Sequence, residues 1–109
     1  MIRLKSTVRL LGLRPEMVLA HTIIASIYAH HDHDCVITTG IEGTHSVGSE
    51  HYTGLALDYR LNDIHPPEDR GRITVDAIAA LGKDFDVLRE GAGTEQDHLH
   101  VEWDPKSPY

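Results

Sequence analysis

The chain is poor in several things whose absence narrows its chemistry. It has one cysteine, Cys35, in 109 residues. That excludes an internal disulfide framework and any cysteine-rich zinc finger, and Cys35 reads as a small buried hydrophobe. It has no cationic excess: 10 Lys and Arg stand against 17 Asp and Glu, a net charge of −7. A protein that neutralises nucleic-acid phosphates needs a basic surface, so nucleic acid is not the expected partner. No apolar run approaches the roughly 20 residues of a membrane-spanning helix. The basic start Met1-Ile2-Arg3-Leu4-Lys5 is followed by too short an apolar stretch for a signal peptide. The expectation is a protein made in the cytoplasm that needs another agent to release it. No internal repeat or linker divides the chain, and its length suits one domain over residues 1–109.

What the chain does have is histidine, nine residues of it. Imidazole is the commonest metal ligand and titrates near neutral pH, so nine of them raise the expectation of metal chemistry. Residues 1–14 read as a short ordered arm. Pro15 and Glu16 suit the first turn of a helix. Apolar residues at Met17, Ala20, Ile24, Ile27 and Tyr28, widened by Leu19 and Ile23, give it a core-facing stripe over about 15–30. The segment His30-His31-Asp32-His33-Asp34 reads as a solvated helix end rather than a metal site. Residues 35–39 and 54–61 read as strands, with a Gly-, Ser- and Thr-rich loop over 40–50 between them. A second helix opens at Glu68 or Asp69, packs Ile73, Ala77, Ile78 and Leu81, and stops at Gly82. Strands follow at 85–89 and 98–103, the latter carrying His98 and His100 on one face. The expected fold is α+β: a small antiparallel sheet of about four strands with two main helices.

Two polar clusters carry the chemistry, Thr44 to Asp58 and Glu95 to Glu102. A catalytic zinc site takes three protein ligands and keeps one position open. His51 and Asp58 could supply two from one hairpin, and a histidine of 98–102 the third. Gly54 and Ala56 between them would let backbones approach closely.

Ser49-x-His51-x-x-Gly54-x-Ala56-x-Asp58 resembles, position for position, the S-x-H-x-x-G-x-A-x-D motif of the M15-type zinc peptidases. That group includes D-Ala-D-Ala carboxypeptidases, dipeptidases and phage endolysins that cut peptidoglycan stem peptides. The stretch Gly43 to Asp58 also looks like the hedgehog signalling domain, which shares the hedgehog/DD-peptidase fold. Asp97-His98-Leu99-His100 is similar to the second motif of the group, an acid three residues before the last zinc histidine.

The resemblance implies a zinc ion held by His51, Asp58 and His100, with His98 as the rival third ligand. It implies Asp97 as the base that takes a proton from water, or Glu95 if His98 is the ligand. It places His45 or His98 beside the developing oxyanion, Ser49 in support of the loop, and Glu102 or a backbone carbonyl behind a ligand imidazole. The carboxypeptidases of the group hold the substrate carboxylate with an arginine before the S-x-H motif. Thr38 to Gly43 contains no arginine, so Arg60 or Arg89 is the substitute. That departure favours an endopeptidase acting on peptidoglycan stem peptides, as a phage or prophage lysis enzyme would. The alternatives are a hedgehog-like zinc module without catalysis and a metal-free domain with surface histidines.

Overall fold

A computed structural model describes residues 1–42 and 54–105. Its elements run β1 (Ile2–Leu4), α1 (Pro15–His30), β2 (Cys35–Thr39), β3 (Ala56–Arg60), α2 (Glu68–Leu81), β4 (Phe85–Glu90) and β5 (His98–Trp103). The strands form one sheet in the order β1-β2-β3-β5-β4, parallel only between β1 and β2. The α+β class and the two helices agree with the sequence reading; the sheet has five strands rather than about four. The additional strand lies in the segment read as an arm. Three exposed residues carry no alternation that could mark them as a strand, and they become one only by pairing Ile2 with Cys35 and Leu4 with Ile37.

Helix α1 starts where Pro15 sets the first turn after an extended Arg14. It buries Met17, Ala20, Ile24 and Tyr28, spaced by three and four residues. Leu19, expected to widen that stripe, is 63% exposed. Helix α2 opens on Glu68 and Asp69, whose charges suit the helix N-terminus, and buries Arg70, Ile73 and Ala77. Ile78 points outward, 51% exposed. Both helices pack against one face of the sheet, where Cys35, Ile37, Leu57, Tyr59, Leu99 and Val101 alternate inward. Cys35 is buried as expected, and burial pushes its thiol pKa up to about 12.

The buried phenols are satisfied. Tyr28 donates to the Arg60 carbonyl at 3.0 Å, and the Tyr59 hydroxyl lies 2.9 Å from His21 Nδ1. The histidine-rich end of α1 is structural: His31 Nε2 lies 2.7 Å from Asp76 Oδ2 and His33 Nε2 lies 2.9 Å from Asp69 Oδ2, clasping α1 to α2. Gly54 shows why the first motif needs a glycine there. Its φ is +75°, and a Cβ would stand 2.3 Å from the Gly12 carbonyl oxygen.

Candidate metal and substrate site

With Leu57 and Tyr59 committed to the core, the pleat turns Asp58 and Arg60 to the opposite face. Leu99 and Val101 do the same for His98, His100 and Glu102 on β5. The β3–β5 register then sets Asp58 directly across from His100 and Arg60 directly across from His98. These are two parallel rows, separated by two residues of strand, about 7 Å.

In the first row Asp58 Oδ1 lies 2.8 Å from His100 Nδ1. The other ring nitrogen, Nε2, lies 2.8 Å from Glu102 Oε1. Each carboxylate accepts, so an imidazole bonded to both must donate from both nitrogens and carry a charge. Burial alone would lower the pKa of His100; the hydrogen bonds and charges of Asp58 and Glu102 outweigh it and raise it to about 9. The arrangement is a carboxylate, an imidazole and a second carboxylate behind it. Zinc histidines are commonly oriented by such a carboxylate on their second nitrogen. Asp58 and His100 therefore fit as an oxygen and a nitrogen ligand, with Glu102 fixing the ring. His51, the expected third ligand, lies outside the described residues, as do His45 and Ser49.

In the second row His98 Nδ1 lies 2.6 Å from the Gln96 carbonyl and Nε2 lies 3.1 Å from Glu90 Oε1. His98 thus faces Arg60 and Glu90 rather than Asp58. Between the two histidines, the geometry gives His100 the contact with the expected aspartate ligand.

The structure surrounds Asp97 with donors. The residue is only 1% exposed, and its carboxylate is saturated. Arg89 donates through Nε to Oδ1 at 3.0 Å and through Nη2 to Oδ2 at 2.8 Å. Arg70 Nη1 and the Gly93 amide both donate to Oδ2 at 3.2 Å. Burial would raise its pKa, but the bonds from Arg89, Gly93 and Arg70 hold it below the usual carboxylate range. A base needs an oxygen with affinity for a proton. Here both oxygens bind arginines that tie the start of β5 to α2 and β4, so Asp97 is an anchor. The same bonds occupy the Arg89 guanidinium, named with Arg60 as a substitute for the missing arginine. Arg70 was invisible as a partner in the sequence, because only the packing of α2 brings it to Asp97.

Glu95 is different. It is exposed, and among the described residues its carboxylate has no hydrogen-bond or ion-pair partner. It lines a groove of about 340 Å³ together with Lys5, Asp58, Arg60, Asp97 and His98. Among the described residues, one cluster brings three candidate metal-binding side chains within 4.8 Å: Asp86, Glu102 and Asp104. It offers only carboxylate oxygens, a donor set that suits hard cations rather than zinc.

The chain matches no family model, no curated protein and no solved structure. No helix among the described residues is long and apolar enough to cross a membrane.

Proposed function

We propose that the chain is a zinc-dependent peptidase that hydrolyses peptide bonds in peptidoglycan stem peptides, as an endopeptidase. The observation that carries this reading is the Asp58–His100 pair, 2.8 Å apart on adjacent strands with Glu102 behind the ring. It brings the last residue of the S-x-H-x-x-G-x-A-x-D segment against the last histidine of the second motif, although 42 residues of chain separate them. Asp58 and His100 would hold the metal with His51. Bound there, zinc supplies a water acidified toward a pKa of about 7 and a Lewis acid for the scissile carbonyl.

The chain supplies the rest. Glu95, unpaired among the described residues and lining the groove, accepts the proton of the attacking water and delivers it to the leaving amine. Asp97 holds the start of β5 in place through Arg70 and Arg89. His98 presents its ring to the same groove and can face the developing oxyanion. Release of the protein to the cell wall belongs to this proposal, as the site of its substrate.

Digestion of purified peptidoglycan, read by mass spectrometry with and without chelator, tests the function. New fragments that vanish with chelator are expected, cut within the stem; loss of a terminal D-Ala alone would make it a carboxypeptidase. Glu95→Gln should lose turnover by at least about a hundredfold while keeping its zinc content and Tm. Full turnover in that variant would refute the role of Glu95.

The locked state of Asp97 favours a second reading, a zinc module that binds without catalysis. Zinc-loaded protein that leaves peptidoglycan unchanged would move the function there.

A further inference from the structure

Cations are concentrated ahead of α1. Residues 1–14 carry Arg3, Lys5, Arg9 and Arg14 and no Asp or Glu, in a chain where acids outnumber cations 17 to 10. The structure lays this arm along one border of the molecule. β1 pairs with β2, and Lys5 extends the ladder by donating its amide to the Ile37 carbonyl at 2.9 Å. Further on, the Ile41 amide donates to the Arg9 carbonyl and the Arg14 amide to the Gly54 carbonyl, both at 3.0 Å. Val8, Leu10 and Leu13 anchor the arm by packing into the core. Its other two leucines are left outside: Leu4 is 51% exposed and Leu11 is 90% exposed. Leu11 stands at the tip of a turn, closed by the Leu13 amide donating to the Leu10 carbonyl at 2.9 Å, with Gly12 at φ +92°. Each exposed leucine is bracketed by cations, Leu4 by Arg3 and Lys5, Leu11 by Arg9 and Arg14. Among the described residues, Asp34 and Glu42 are the acids bonded to these arginines. Asp34 contacts Arg3 at 3.2 Å, an exposed pair that contributes little. Glu42 accepts from the backbone instead, from the Arg9 amide at 2.8 Å and the Gly40 amide at 2.9 Å. Lys5 borders the depressions that hold Asp63 and Glu95 and bonds to neither.

We infer that this arm is a docking edge for an anionic lipid surface. A single leucine on a protein surface is ordinary. A leucine set between two cations suits the boundary of a bilayer. The apolar tip enters the acyl region, while the charged heads stay among the phosphates on their long stems. Charge complementarity selects the lipid: the arm is purely cationic and attracted to an anionic leaflet, whereas the acidic remainder of the chain is repelled. That opposition turns the arm toward the membrane and the rest of the molecule away from it. A soluble anionic polymer would use the four cations but gain nothing from Leu4 and Leu11. The inference is independent of the peptidase reading.

Co-sedimentation of the full chain with lipid vesicles tests this. The protein should bind vesicles containing a third phosphatidylglycerol at least about tenfold more tightly than vesicles of phosphatidylcholine alone, and high salt should erase the difference. Lys5→Gln with Arg14→Gln removes two exposed cations whose side chains make no bond, and should lower affinity for the anionic vesicles about tenfold. Leu4→Asn with Leu11→Asn should lower it by a similar factor. Both pairs should keep the wild-type Tm, since all four side chains are exposed. Lys83→Gln, an exposed cation outside the arm, should bind as the wild type does. Equal binding to the two vesicles, or an affinity untouched by the loss of Lys5 and Arg14, would overturn the inference. So would full affinity in the leucine variant, which would leave the arm as a site for a soluble anionic polymer.

Discussion

Asp97 carries more of the stability than its position in a motif implies. Four donors from α2, β4 and the 91–97 loop converge on one buried carboxylate. Replacing it by Asn leaves two arginines without a counter-charge, a loss of about 3 kcal/mol, or a Tm lower by at least 10 °C. Thermal denaturation of Asp97→Asn checks this; an unchanged Tm with abolished turnover would return Asp97 to the role of base. The pH dependence follows from the direction of its shift. Its folded pKa lies below the unfolded value of about 3.9, so its contribution is full above pH 4 and fades as pH falls through the folded pKa. Wild-type stability should therefore fall more steeply below pH 4 than that of Asp97→Asn. His100 behaves oppositely. In chelator-treated protein its pKa rises from 6.5 to about 9, so its contribution is full below pH 6.5 and disappears between 6.5 and 9. Tm measured against pH should decline across that window in the wild type and stay flatter in His100→Gln.

At the scale of elements, the register between β3 and β5 makes the site. Much of this was legible in the sequence, because period-2 alternation puts His98 and His100 on one face and Asp58 on the face opposite Leu57 and Tyr59. The helix starts at Pro15 and Glu68 were legible from their first-turn residues. The arginines around Asp97 and the position of Lys5 were not, because they depend on packing between segments far apart in the chain, which no local pattern encodes. Strand β1 is the clearest case: its pairing with β2 is the only reason it is a strand. The glycine of the first motif was legible as a close approach, and the structure supplies its partner. Gly54 and Gly82 both have positive φ, +75° and +77°, but only Gly54 has backbone within reach of an added Cβ. Gly54→Ala should lower Tm by at least about 5 °C more than Gly82→Ala, since both incur backbone strain and only the first also collides with Gly12. Equal shifts would mean that the arm around Gly12 yields without resistance.

Across the whole molecule, stability is distributed unevenly between the parts that meet in the groove. The row of Asp58 and His100 lies on the two strands whose inward residues, Leu57, Tyr59, Leu99 and Val101, are fully buried. Lys5 follows a three-residue edge strand whose side chains are all exposed. Exposed edges open more readily than core strands. Amide hydrogen exchange should therefore be faster in Arg3 and Leu4 than in Leu99 and Val101, and similar protection would refute a separable edge. A short parallel edge strand beside a buried antiparallel pair amounts to a fuse. On warming, the β1–β2 pairing should break while the Asp58–His100 row is still intact. A molecule built this way loses the outer wall of its groove before it loses the paired side chains at its centre.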